Sequence, residues 1–188
     1  FGEGNYDETE EIIKELLKEA GTLKTSNQNF SQTMEEQKIS AVDFSEIESA
    51  ETYLGSDKSQ YQGNNIVITE KPQNFTEPTT FETNKYYLSG EWIVNPEFIT
   101  VNKAPAKLFL NYKASKVNLV ISLNSEILRF RNIGPMAKIY LDGKPISVNQ
   151  KGADVNQDGI VNLSKDALYN LVDTGKSYER HTLTIEFL

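Results

Sequence analysis

The chain has 188 residues with 19 Lys or Arg and 27 Asp or Glu, so its formal net charge is -8. This acidic balance argues against nucleic-acid binding, which uses Lys and Arg to neutralise phosphates, and against anionic membrane surfaces. The sequence contains no cysteine, which excludes disulfides, thiolate metal sites and cysteine nucleophiles. No run approaches the roughly 20 apolar residues that cross a bilayer, so we expect no direct membrane insertion.

A helix is predicted at the start of the chain, over residues 7–20. Asp7 is a favourable N-cap, Glu10 completes a capping box, and Gly21 suits the helix end. The apolar residues of this segment share one face: Ile12, Ile13, Leu16, Leu17 and Ala20. Because no neighbouring sequence offers this stripe an apolar partner, we expect residues 1–21 to belong to another domain.

A polar segment rich in Ser, Thr, Asn, Gln and Glu follows at 22–50 and predicts a linker. From residue 51 onwards apolar residues alternate with a period of two, as in half-buried strands. The strongest strands lie at 107–113, 117–123 and 182–187, and further candidates at 65–69, 85–94, 97–101, 126–131, 137–141 and 159–163. Asp142-Gly143 is a strong hairpin signal, and a short helical segment is expected near 164–172. Residues 51–188 therefore predict an antiparallel β-sandwich or jelly roll, so the chain is mainly β.

His181 is the only histidine, and we expect it to be a polar surface residue on the strand face opposite Leu183 and Ile185. A catalytic role would need serine and carboxylate partners that no motif supplies. No GxSxG, HExxH, P-loop or GxGxxG motif is present. A polysaccharide hydrolase would use two opposed carboxylates, and no pair can be singled out among 27 acidic residues. No catalytic residue is predicted, and a hydrolase stays open as an alternative.

A second candidate is the loop that contains Asp154, Asn156, Asp158 and Gly159. Its oxygen ligands at positions 1, 3 and 5 and its glycine at position 6 match the start of an EF-hand-type calcium loop. Position 12, however, is Lys165 where that loop requires a bidentate carboxylate. We therefore favour an Asx-rich turn and predict no cofactor. The alternative is a calcium-stabilised structural domain with Asp154, Asn156 and Asp158 as metal ligands.

Aromatic residues crowd the first half of the β region and suggest a third kind of site. Sugar-binding sandwiches present a flat aromatic platform to a pyranose ring, and the candidate ligand residues are Tyr87 and Trp92. Alternation along 86–92 puts Tyr86, Leu88, Gly90 and Trp92 on one side of a strand, which we expect to be buried.

Several segments resemble DipZ-type proteins, which are bacterial thioredoxin-family proteins linked with cytochrome c biogenesis. Residues 1–10 and the helix are similar to the end of their thioredoxin-like domain. Glu51-Thr52-Tyr53-Leu54-Gly55 resembles the element that opens their C-terminal domain. Leu88-Ser89-Gly90-Glu91-Trp92 resembles their L-x-G-x-W strand, and 168–172 and 182–188 resemble their closing helical turn and strand. Together these segments cover most of the chain in the expected order.

The resemblance implies a membrane-embedded part in many members, then a thioredoxin-like domain, then a carbohydrate-binding-module-like jelly roll in the periplasm or cell envelope. It implies that residues 1–21 end the thioredoxin-like domain, 22–50 form a linker and 51–188 form the sandwich. We expect the CxxC segment to precede Phe1, so no family catalytic residue carries over. The implied function is a non-catalytic binding or scaffolding module of a membrane-anchored thiol–disulfide oxidoreductase. Its implied partners are the upstream thioredoxin-like domain, a glycan or a substrate protein.

Overall fold

The computed structural model of the chain describes residues 6–19, 44–57, 60–64, 71–123 and 134–188. These residues form a mainly β structure, as the sequence predicts, with one α-helix, α1 (Tyr6–Glu19), and a 3-10 turn at Phe44–Glu46. The strands are β1 (Gln73–Phe75), β2 (Tyr86–Val94), β3 (Ile99–Lys113), β4 (Lys116–Ile121), β5 (Met136–Leu141), β6 (Lys144–Pro145), β7 (Ile160–Asn162), β8 (Ala167–Asp173) and β9 (Arg180–Phe187). The predicted strands at 65–69 and 126–131 lie outside the described residues.

The chain divides into two compact units, Phe1–Ile39 and Ser40–Leu188. The first unit contains α1, which confirms the predicted helix. Three residues of its apolar face are about half exposed, with Ile12 at 49%, Ile13 at 51% and Leu16 at 57%. The amphipathic pattern thus predicts the helix correctly, and these three apolar side chains are about half exposed.

The second unit contains a seven-stranded sheet in the order β1-β2-β3-β9-β5-β6, with β7 also paired to β5, and a two-stranded sheet of β4 and β8. All pairs between these strands are antiparallel. The predicted strands 97–101 and 107–113 are the two ends of one long strand, β3. The last strand, β9, lies between β3 and β5, so both of its edges are paired.

The predicted helical segment at 164–172 is wrong, because residues 167–173 form strand β8. This strand pairs antiparallel with β4, and Tyr169 lies opposite Leu119. Tyr169 and Leu171 are buried on its inner face, whereas Leu168 is 62% exposed on the other face. The alternation has a period of two and therefore fits a strand and not a helical turn.

One hydrophobic core contains side chains from both sheets, as in a β-sandwich. Alternate residues of each strand face this core because successive strand side chains point to opposite sides. The largest fully buried side chains include Trp92, Tyr86, Tyr112, Leu88, Ile139, Leu171 and Leu183. The face of the seven-stranded sheet that points away from the core is called the outer face below.

The Asp142-Gly143 turn joins β5 to β6 and confirms the predicted hairpin. Both residues have a positive φ, 52° for Asp142 and 73° for Gly143. Two successive left-handed residues are typical of a type I′ turn, whose twist matches that of the flanking strands. The turn places the Asp142 carboxylate beside β9.

Candidate binding surface

Trp92 lies in the core, on the side of β2 that the sequence predicts to be buried. Its indole is 2% exposed and meets the ring of Phe187 edge to face, with ring centroids 5.6 Å apart. Its Nε1 donates a hydrogen bond of 2.9 Å to the backbone oxygen of Ser89. The single polar group of the indole is therefore satisfied inside the protein.

Tyr87 points to the outer face but is also covered, with 5% of its surface exposed. Phe81 packs against it edge to face at 5.4 Å, and the Tyr87 hydroxyl accepts a hydrogen bond from the backbone N–H of Glu82. A Cβ atom on Gly63 would lie 2.1 Å from the Tyr87 ring, so the backbone itself contacts the ring there. Ligand binding at Tyr87 and Trp92 stays a prediction, and it would require these covered rings to become accessible.

In the loop with Asp154, Asn156 and Asp158, side-chain oxygens accept hydrogen bonds from backbone N–H groups of the loop and of β8. The Asn156 Oδ1 accepts from the backbone N–H groups of Asp158 and Ile160, both at 2.9 Å. The Asp154 Oδ2 accepts at 2.7 Å from the backbone N–H of Asn170 on β8. Within the described ranges, no group of three or more His, Cys, Asp or Glu side chains is arranged to hold a metal ion. Calcium binding by this loop stays the alternative to the predicted Asx-rich turn.

His181 is not a surface residue, so that prediction is wrong. It is 8% exposed and lies on the same face of β9 as Leu183 and Ile185, since residues two apart in a strand share a face. The imidazole is tolerated there because its Nδ1 lies 2.7 Å from the Asp142 Oδ2. The other oxygen of Asp142 accepts a hydrogen bond from the backbone N–H of Thr182. The two contacts of the Asp142 carboxylate thus link the β5–β6 turn to β9.

The ring of Tyr112 packs against His181. It lies directly opposite His181 in the β3–β9 register, with ring centroids 6.2 Å apart. Burial, and next the nearby carboxylate of Asp142, raise the pKa of the Tyr112 hydroxyl far above its usual value of 10.0. Tyr112 is therefore protonated at neutral pH, and its ring packs against the imidazole. The contacts of His181 therefore indicate a structural role.

The outer face of the seven-stranded sheet has a covered half and a partly exposed half. On the covered half, Phe81 packs against Phe109 as well as Tyr87, with ring centroids 5.3 Å from Phe109. On the other half, Thr184 of β9 lies opposite Tyr140 of β5, and Glu186 lies opposite Lys138. All four of these side chains are partly exposed. We call Lys138, Tyr140, Thr184 and Glu186 the Tyr140 patch.

Side-chain contacts hold the Tyr140 patch in place. The Tyr140 hydroxyl donates a 2.9 Å hydrogen bond to the Glu186 Oε2, and the Lys138 Nζ lies 5.5 Å from the centroid of the Tyr140 ring. Lys107 borders the patch on β3, opposite Glu186, and its Nζ lies 2.8 Å from the Glu77 Oε2. The hydrogen bond to Glu77 raises the pKa of Lys107. The patch combines one aromatic ring with paired charges, and sequence analysis did not identify it.

Residues 49–188 match the sequence model of a family described as "Thioredoxin like C-terminal domain". The chain belongs to this family. The match covers every strand among the described residues, so the family assignment applies to the sandwich. It confirms the resemblance that the sequence motifs indicate.

Two curated relatives carry the name "Protein DipZ", one from Mycobacterium bovis (strain ATCC BAA-935 / AF2122/97) and one from Mycobacterium tuberculosis (strain CDC 1551 / Oshkosh). The chain is 27% identical to each over 146 residues, which is 77% of this chain and 20% of the relative. It therefore spans about a fifth of the length of these relatives. In the described part of the chain, no helix is long and apolar enough to cross a membrane.

The Glu51–Gly55 segment lies near the start of the family match and has a defined place in the sandwich. In Glu51–Gly55, the glycine is needed because a Cβ on Gly55 would lie 2.3 Å from the backbone oxygen of Pro96. The next two residues donate backbone hydrogen bonds to the same turn, from Ser56 to Asn95 and from Asp57 to Pro96. The segment that starts at Glu51, near the beginning of the family match, thus anchors the chain to the turn between β2 and β3.

Proposed function

We propose that this chain is a non-catalytic binding module of an extracytoplasmic thioredoxin-family thiol–disulfide oxidoreductase. The observation that carries the proposal is a thioredoxin-family match over 49–188 in a sequence without a single cysteine. Disulfide exchange needs a thiolate as nucleophile. In this proposal a thioredoxin-like domain elsewhere in a longer protein performs the chemistry, and the sandwich brings it to its target.

The sheet arrangement supports a jelly roll of the carbohydrate-binding-module kind. A seven-stranded sheet faces a small two-stranded sheet across one core, and part of its outer face is partly exposed. A broad, preformed sheet face is a suitable binding surface because its side chains are held by strands on both sides. A glycan or a substrate protein would bind there.

The proposed partner within the longer protein is a thioredoxin-like domain, of which α1 would be the last helix. The half-exposed Ile12, Ile13 and Leu16 support this assignment, because an apolar helix face gains stability when another element covers it. The match covers only 20% of each relative. The rest of each relative is long enough for such a domain and for a membrane anchor. We propose residues 22–50 as the linker and the cell envelope as the location.

The proposal is tested by assaying the isolated chain for two activities. In an insulin reduction assay with dithiothreitol, the chain should add nothing to the background rate, and a thioredoxin serves as the positive control. Incubation with a panel of polysaccharides should release no reducing ends, which tests the hydrolase alternative. Turnover in either assay would contradict a non-catalytic module.

A further inference from the structure

We infer that the Tyr140 patch binds a neutral oligosaccharide. This inference rests on the proposed binding function and gives it a place and a ligand class. The patch lies on the outer face over β5 and β9, and β9 is paired on both sides, so its backbone is rigidly framed.

The first argument is that Tyr140 is a partly exposed aromatic ring on the half of this sheet face that Phe81 does not cover. Tyr87 and Phe109 occupy the same cross-strand row but are 5% and 3% exposed beneath Phe81. Tyr140 stays partly exposed, and its hydroxyl is fixed by the Glu186 Oε2. An aromatic ring held in one orientation loses little conformational freedom when the apolar face of a pyranose packs against it.

The second argument is the hydrogen-bonding capacity around the ring. The hydroxyl of Thr184, directly opposite Tyr140, makes no hydrogen bond within the described residues. The bond from Tyr140 uses one oxygen of Glu186, the Oε2, and the Lys138 ammonium lies over one face of the Tyr140 ring, 5.5 Å from its centroid. A donor-acceptor hydroxyl, a carboxylate and an ammonium suit the ring hydroxyls of a sugar, each of which both donates and accepts.

The third argument is charge balance, which favours a neutral ligand over an anion or a cation. Glu186 lies between Lys107 of β3 and Lys138 of β5 in the strand register. Lys107 is in turn paired with Glu77 at 2.8 Å. Two cations and two anions therefore alternate across this surface, and neither sign dominates.

The test is an NMR titration of the whole chain with cellohexaose, chitohexaose, maltohexaose and, as a charged probe, hexagalacturonate. We expect saturable amide shifts confined to β5 and β9 around Tyr140 with at least one neutral probe. Tyr140→Ala should weaken that binding about tenfold or more, which corresponds to roughly 1.4 kcal/mol. Phe98→Ala is the matched control, since Phe98 is 57% exposed in the β2–β3 turn, and it should leave affinity unchanged.

Tyr140→Phe keeps the ring but loses its hydrogen bond to Glu186, and Thr184→Val removes the Thr184 hydroxyl. Each should weaken binding, so both test the patch if Tyr140→Ala unfolds. A flat response to all three neutral probes would overturn the inference. It would also be overturned by shifts centred elsewhere, by stronger binding of hexagalacturonate than of any neutral probe, or by unchanged affinity in these variants. If only this inference fails, the isolated chain is still inactive in the insulin reduction assay. Failure of the proposed function would instead be seen as turnover in that assay.

Discussion

The single tryptophan allows a direct test of whether Trp92 belongs to the core or to a ligand platform. Trp92→Ala removes a side chain that is 2% exposed and packed against Phe187. Truncating a buried aromatic residue costs about 3–5 kcal/mol, and each kcal/mol lowers Tm by roughly 2–4 °C in a domain of this size. We therefore expect Tm to fall by about 6–20 °C.

Trp92→Phe is the matched control for this change. It keeps an aromatic ring near Phe187 but loses the hydrogen bond from Nε1 to Ser89, so it should cost less than the alanine variant, with about 1 kcal/mol from the bond itself. Thermal unfolding by circular dichroism measures both variants. The fluorescence of the native protein should be blue-shifted from that of the unfolded chain and poorly quenched by acrylamide. An unchanged Tm in Trp92→Ala, or quenching as strong as in the unfolded chain, would refute the core assignment.

Three further predictions concern a packing glycine, a loop and a buried phenol. Gly55→Ala should lower Tm, because its Cβ would lie 2.3 Å from the Pro96 oxygen; an unchanged melting curve would show that this turn can shift freely. Melting curves in calcium and in chelator should coincide, since Asn156 and Asp154 already accept backbone hydrogen bonds; a higher Tm with calcium would instead establish the metal site. Burial raises the pKa of Tyr86 from 10.0 to about 12, so the free energy of unfolding should fall between about pH 10 and 12 as the unfolded chain loses this proton first. Tyr86→Phe should lack that part of the loss in a pH series of denaturant melts.

Strand alternation accounts for the parts of the fold that the sequence predicts well. The inward residues of β2 and β5 follow from period two alone, and Asp142-Gly143 forms the predicted turn. The same rule puts His181 on one strand face with Leu183 and Ile185, and this face lies in the core. The sequence does not show that Asp142 is the hydrogen-bond partner of the buried imidazole, because Asp142 is 39 residues away in the chain.

The segment at 167–173 shows a second limit of sequence patterns. Its apolar residues, which include Leu168, Leu171 and Val172, form a short mixed run that fits either a helical turn or a strand. Pairing with β4 decides the outcome, since Tyr169 and Leu171 then reach the core while Leu168 faces outward. Tertiary contacts of this kind cannot be seen within a local window.

The binding surface could be predicted only in part. Alternation indicates which side of β2 Tyr87 faces, but it does not show that Phe81 and the backbone of Gly63 cover the ring. The predicted strand 137–141 contains Tyr140, yet only the register with β9 brings Thr184 and Glu186 beside it. A site assembled from two distant strands has no signature in either strand alone.

The most direct test of the account compares the proposed longer protein with a variant that lacks residues 49–188. Both proteins are assayed for reduction of a small disulfide and for retention on immobilised chitohexaose, cellohexaose and maltohexaose. We predict that turnover of the small disulfide stays the same and that retention on the sugar columns is lost. Loss of small-disulfide turnover on removal of the module, with sugar retention unchanged, would contradict the account.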